Sequence, residues 1–531
     1  MKCGGQITLL ILLSAMMASG QDSSINLLQQ PARFEKERKY SDEDFTVIPL
    51  KEDGLALLRD KDKYKSGTRT WELILLDTVL HEIQNLELEV DHRKSLVGYE
   101  QTKGFLFLIF KSSEILKLSL DLVAIQLNNV EISKYEINPE LQLQLTHFSK
   151  VSDNFIFGGY VNNEPAILIY SPLTNNIKVL PGFFQKQTEL VELRQNQNQT
   201  FNIVLLDRGD RTQKKMIFKT FDGNGIELFS DEIPIEEKYV LQTGLSSMLI
   251  REDLAVIGTW GTRGSKQSLG FFAVPINPFS NQEIKYTAFG ELSHYLDDQS
   301  PKRAKKIKEK TKEATKVNRM PDYSNYVMPY RIEELPQGFI LLAESYTSSS
   351  PANIYSDPGN FGYPTYPSPY YGYYPYSYNR MYNPYYRTDP NNIRDNDNIR
   401  VSQSVAIAFN EDGDVLWDYS IDLDSYRSHS IEQVADFCVY REGLFFLYKK
   451  ESELIVKTIT LDSDETADSV EKIKLVEEND EIRGENKSIG GTRHWYGKTF
   501  YVWGQHTIRN KYSSEESSSR QVFYINKVVP D

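Results

Sequence analysis

One apolar run recurs eight times along the chain, each time after a turn-type residue. It appears as Gly54-LALL, Gly104-FLFLIF, Asn154-FIFGGY, Thr200-FNIVLL, Asp253-LAVIGTW, Gly338-FILLAE, Gly443-LFFLY and Thr499-FYVWG. Successive starts lie 50, 50, 46, 53, 85, 105 and 56 residues apart. Five of these intervals cluster near 50, and each of the two long ones contains a compositionally odd insertion. A regular period of this size marks an architecture of repeated units, each burying its apolar faces against its neighbours.

A second strand-like run follows each of these after a polar turn: Trp71-ELILL, Ile115-LKLSL, Ala166-ILIY, Met216-IFKTF, Phe271-FAVPI, Val405-AIAF, Leu454-IVKTI and Val522-FYI. A weaker strand precedes each unit, as in Thr188-ELVEL, and a more polar one closes most units. Four strands in about 50 residues is what a β-propeller blade requires. The expected fold is therefore all-β, a propeller of eight four-stranded blades, with seven as the alternative. The abundant aromatic residues, 33 Tyr and 26 Phe, favour strands.

Two units share a sharper pattern, F-[DN]-x-[ND]-G-x-x-L-[FW], at Phe221–Phe229 and Phe409–Trp417. Asn or Asp followed by Gly suits a tight hairpin, because Gly adopts positive φ without steric cost. The pattern resembles the outer hairpin of propeller blades. The second copy is similar to the A-x-D-x-x-T-G-x-x-x-W repeat of quinoprotein-type propellers, with one residue deleted and the Thr missing. That resemblance implies the fold and not a cofactor. The last unit ends near Asp531 without an outer strand. Ile25-Asn26-Leu27-Leu28 is expected to supply it by pairing with Val522–Ile525.

At the N-terminus Lys2 precedes an apolar run from Ile7 to Met17, then Ala18-Ser19-Gly20 and polar Gln21-Asp22. This is the order of a secretory signal, too short for a membrane-spanning helix. It resembles secretory signals of Bacteroidota. The organisation read from the sequence is a signal peptide at 1–20, a segment at 21–44 that closes the ring, and a propeller at 45–531 with insertions at 300–320 and 348–400. The expected location is secreted, periplasmic or cell-envelope associated, and not transmembrane. Of the two cysteines, Cys3 lies in the signal; Cys438 sits in the alternating pattern of a strand and reads as a small packed hydrophobe.

A net charge of −14 repels nucleic acid phosphates, so no nucleic acid partner is expected. Residues 300–319 are the local exception, with nine Lys or Arg against Glu309 and Glu313. Pro301 follows Ser300 as at a helix start, and Lys, Glu and Ala are strong helix formers. Lys305, Lys306 and Lys308 are candidate contacts with an anionic surface such as lipopolysaccharide, a polyanionic glycan or an acidic protein; a solvated charge run is the plain alternative. In the second insertion twelve Tyr fall between Tyr355 and Tyr386 among Pro, Gly, Asn and Ser. An extended or disordered loop is expected there. Tyr370, Tyr371, Tyr373, Tyr374, Tyr376 and Tyr378 are its candidate contacts with sugars or proteins, each pairing an apolar ring with a polar tip. The alternative is a spacer with no fixed partner.

The seven His show no H-E-x-x-H spacing and join no Cys/His cluster. Neither a phosphate-binding G-x-x-x-x-G-K-[ST] loop nor a G-x-S-x-G nucleophile elbow occurs. Asn410–Asp414 is acidic but lacks the spacing of a calcium loop, and reads as a turn. No catalytic, cofactor-binding or metal-binding residue is assigned from the sequence, and no cofactor is expected. Two functions follow. The first is a non-catalytic binding or scaffold protein recognising a protein or glycan. The alternative is a propeller enzyme, either a glycan hydrolase or lyase or a quinone-dependent oxidoreductase. Carboxylates or Arg gathered at one mouth of the central channel favour the enzyme; an uncharged mouth favours the binder.

Overall fold

The computed structural model describes residues 27–39, 44–112, 118–208, 214–249, 254–348, 399–428, 432–441, 443–461, 463, 465–510 and 519–531. They form eight four-stranded antiparallel sheets. Blades 1 to 7 span 46–91, 94–137, 144–179, 188–234, 240–288, 326–428 and 435–472, each with its strands in chain order. Blade 8 joins 480–530 to the N-terminal strand Leu28–Glu37. The first strands of successive blades lie beside one another, so the first strand is axial and the fourth lies at the rim. The eight-bladed propeller expected from the period is the fold observed.

Burial explains why the apolar runs stand out. The eight recurrent runs are the second strands, covered on both sides by neighbouring blades. Ala255–Gly261 is buried at every position. The fourth strands are mostly exposed, as in Glu465–Lys472, and their sequences are correspondingly polar. Of the eight runs that follow them, seven fall in third strands. Blade 2 differs: its third strand is Leu120–Gln126, while residues 115–117 of the expected run lie outside the described residues.

Both signature hairpins join a third strand to a fourth. Gly225 and Gly413 have φ of +79° and +82°. Asp222 accepts hydrogen bonds from the amides of Asn224 and Ile226, and Asn410 accepts one from Asp414. The hairpin also serves packing: a Cβ on Gly225 would lie 2.4 Å from Leu180 and 2.5 Å from Ile169, both of the preceding blade.

Closure of the ring departs from expectation. The pairing strand is Leu28–Glu37, with Leu28 opposite Pro530, Phe34 opposite Ile525 and Glu37 opposite Val522. Val522–Ile525 thus face residues 34–37 rather than 25–28; Ile25 and Asn26 lie outside the described residues. Apolar content misled because a rim strand buries only one side. Leu28 and Phe34 are buried, and most of the remainder is partly or fully exposed. Pro31 falls at the register shift between Gln29 and Ala32, a tolerated place for a residue with no N–H to donate.

Alternating strand direction gives the ring two unlike faces. The first-to-second and third-to-fourth turns open on one, here the turn face, and none exceeds nine residues. The second-to-third hairpins and the blade-to-blade connections open on the other, the connection face. Residues 289–325 join blade 5 to blade 6 there, and 349–398 leave between the second and third strands of blade 6.

Two outcomes test this account. Truncation to Phe45 removes the closing strand and should lower stability by several kcal/mol, about 1 kcal/mol for each lost hydrogen bond plus the buried Phe34, read from denaturant unfolding. Gly67 also has positive φ but has nothing within 4 Å of an added Cβ. Gly67→Ala should therefore cost about 1 kcal/mol for backbone strain alone, and Gly225→Ala clearly more.

Candidate functional site on the connection face and at the axis

The basic insertion is a docked helix. Pro301–Lys316 places Ala304 and Ile307 against the apolar core shared by blades 5 and 6. Thr311 is buried against Gly290, where an added Cβ would stand 2.2 Å from its Oγ1. The absence of a side chain at Gly290 permits so close an approach. Lys308 donates to the Ser293 carbonyl at 2.7 Å, and Thr315 donates to Glu291 at 3.1 Å. Asp418 of blade 6 accepts the amides of Ser293 and His294, fixing the segment that leads into the helix.

The residues singled out from the sequence therefore separate. Lys308 is half-buried and spent on docking the helix. Lys305 is 78% exposed and lies 3.9 Å from Glu309. Lys306 is exposed. Tyr370, Tyr371, Tyr373, Tyr374, Tyr376 and Tyr378 lie outside the described residues. The strand ends flanking them are paired, Ser348 opposite Ile399, on the same face as the helix.

A cleft of about 410 Å³ opens near the connection-face end of blade 8, lined by Arg38, Asn486, Gln505, His506, Thr507, Gln521 and Val522. Its origin is a break in the ladder: Glu485 pairs with His506 and Gly490 with Gly504, leaving 486–489 looped out opposite Gln505. Bulges of this kind often re-aim side chains at binding sites. Gln505 accepts from Arg38 at 2.9 Å and from Asn486 at 3.3 Å. Behind it Lys449 is ion-paired with Glu485 and has its pKa lowered by burial. Burial, then Arg33 and Lys449, lowers His506 to about 3, so its ring is neutral near pH 7.

Near the axis, Arg331 of blade 6 bridges three first strands. Its Nη2 lies 2.9 Å from Asp436 of blade 7, and its Nη1 lies 3.4 Å from Nδ1 of His494 of blade 8. Burial, reinforced by Arg331, lowers the His494 pKa. The oxygens here are engaged by backbone. Asp436 accepts the amides of Phe437 and His494 at 2.9 and 2.8 Å. Glu344 accepts those of Val434 and Ala435 of blade 7 at 2.8 to 3.0 Å. Glu100 of blade 2 does the same for Lys150 of blade 3. Spacing in the sequence could not reveal these clasps, because each joins residues about 50 to 90 positions apart. Cys438 is fully buried and its thiol is pushed up by burial, so it is a packed core residue. Among the described residues, no three His, Cys, Asp or Glu are grouped to hold a metal ion. None of the described helices is long and apolar enough to cross a membrane.

No protein-family model and no curated protein matches this chain. Solved structures of similar fold include one from a study of two prolyl endopeptidases, 8% identical, covering 89% of this chain and 55% of its own, with a TM-score of 0.40. The β-propeller domain of the Trilobed protease from Pyrococcus furiosus is 9% identical over 82% of this chain and 93% of its own, at 0.33. The AfRom2 CNH domain is 10% identical over 82% and 94%, at 0.30. The chain spans about half the length of the prolyl endopeptidase it resembles.

Glu344 gives a pH prediction. Burial raises its pKa from 4.5 to about 8, against the pull of the two amides and Arg493. Because the folded value is the higher, ionisation opposes folding. The cost is absent below about pH 4.5, grows up to about pH 8 and is then constant. The stability of the unaltered chain relative to Glu344→Gln should fall over that window, by at most about 1.4 kcal/mol per pH unit. A pH-independent difference in unfolding free energy would refute it.

Proposed function

We propose that this chain is a non-catalytic β-propeller binding or scaffold protein, acting secreted, in the periplasm or at the cell envelope, and recognising a protein or glycan through its connection face. The observation that carries this reading is the asymmetry of the ring. The turn face is closed by short turns, while the basic helix, the strand ends that flank 349–398 and the blade 8 cleft lie towards the connection face. Surface loops positioned on a rigid scaffold are a usual place for recognition. The engagement of Glu100, Glu344 and Asp436 by backbone amides supports a structural role for the buried carboxylates.

The Arg331, Asp436 and His494 cluster favours a second reading, a propeller enzyme acting on glycans, because it gathers an acid, a base and a cation near the axis. Its geometry supports that reading less well. The Asp436 oxygens each meet a backbone amide, and His494 Nε2 lies 2.7 Å from the Gly497 carbonyl.

Replacing 349–398 by Asn-Gly tests the choice, since Ser348 and Ile399 are already cross-strand partners. The variant should melt within about 2 °C of the unaltered chain, because the entropy of closing a connection changes only slowly with its length. On an array of neutral glycans and envelope proteins it should lose binding about ten-fold or more, while Asp436→Asn binds as before. Unchanged binding in the loop variant, or turnover of a glycan that Asp436→Asn abolishes, would turn the conclusion towards the enzyme.

A further inference from the structure

We infer that the outer surface of the helix Pro301–Lys316 is a docking site for a linear acidic polysaccharide. The inference rests on the binding reading above and names one partner for it. Lys302, Lys306, Lys312, Lys316 and Arg319 are all exposed and form no ion pair with any described residue. In a chain of net charge −14 this is a concentrated exception.

The helix carries its charge against local preference. Its first turn holds Lys302 and Arg303 and no acidic residue. Cations there oppose the positive end of the helix dipole, where Asp or Glu would stabilise it. Solubility alone would be served as well by acidic residues. The helix that carries the lysines is also held in place. The stripe Ala304, Ile307 and Thr311, the Gly290 contact and the Lys308 bond fix the helix on the ring. Lys302 to Lys316 then span roughly 21 Å at 1.5 Å per residue, a row of charges set before a partner arrives.

The chemistry of the exposed surface selects the partner. The one large apolar side chain exposed in 300–319 is Val317, at the end of the helix. Insertion into a lipid interface needs an apolar face with bulky residues, and this helix has none outward. A protein interface needs a desolvated core with aromatic or aliphatic anchors, also missing from this surface. A hydrated polymer with regularly spaced sulfates or carboxylates needs only spaced cations, and binding gains from release of its counterions.

The test uses the full chain and heparin as the acidic polysaccharide. Neutral dextran, phosphatidylglycerol vesicles and duplex DNA serve as comparisons in titration calorimetry. Heparin should bind, dextran should not, and affinity should fall about ten-fold or more between about 50 and about 200 mM salt. The variant K302Q/K306Q/K312Q/K316Q should lose about ten-fold or more in affinity, with its melting temperature and far-ultraviolet dichroism retained. Lys103→Gln with Arg441→Gln, on the turn face, should leave affinity unchanged. The 349–398 replacement should also leave it unchanged, which separates failure of this site from failure of the broader binding reading. No binding of heparin by the unaltered chain, equal loss in the turn-face variant, or tighter binding of vesicles or DNA than of heparin would overturn the inference.

Discussion

The ring depends on one antiparallel pairing, that of Leu28–Glu37 with Ser519–Pro530. Every other blade is built from consecutive strands and forms from local contacts. Blade 8 alone joins segments nearly 500 residues apart. Its closing strand converts an open series of sheets into a ring and covers the edge of the third strand, whose N–H and C=O groups would otherwise be exposed. The strand is further tied to blade 7, where Glu471 accepts the Leu28 amide and the Lys472 carbonyl accepts from Gln30. Closure and blade packing are therefore coupled at the same corner of the molecule.

Around the rest of the ring, hydrogen bonds between polar groups and backbone recur at the seams. Glu100 joins blades 2 and 3, the Tyr160 hydroxyl accepts the Leu190 amide between 3 and 4, and Arg194 reaches the Ser246 carbonyl between 4 and 5. Glu334 accepts the Met248 amide between 5 and 6, Glu344 joins 6 and 7, Asp436 joins 7 and 8, and the Trp495 indole donates to Gly54 between 8 and 1. Apolar wedging between blades is not directional; these bonds set the height at which one blade meets the next. A buried carboxylate is costly unless its oxygens are satisfied, and here backbone amides satisfy them. The raised pKa of Glu344 reflects its burial, which the amides of the clasp only partly offset.

The fold was legible because a strand buried on both faces writes a continuous apolar run, and eight such runs at one spacing leave few alternatives. The rim strands were less legible. A one-sided strand such as LQQPARFEKE, with Leu28 and Phe34 as its buried positions, reads as polar linker, and apolar content points instead to 25–28. The helix was visible in its Lys, Glu and Ala content, but its docking was not. The decisive contact, Thr311 on Gly290, joins two inconspicuous residues 21 positions apart. The 486–489 bulge was likewise hidden, since nothing in its sequence distinguishes a looped-out residue from a paired one.

The connection between blades 5 and 6 shows how a long insertion is packed onto the ring. Residues 289–325 do not hang from the ring. Phe289 stacks on Tyr295 with centroids 4.3 Å apart, the Tyr295 hydroxyl meets Ser345 at 2.9 Å, and Gln403 donates to the Tyr295 carbonyl. Both Ser345 and Gln403 belong to the hairpin from which 349–398 emerge. The helix and the strands that flank 349–398 are therefore rooted in one shared core, that of blade 6 and its seam with blade 5.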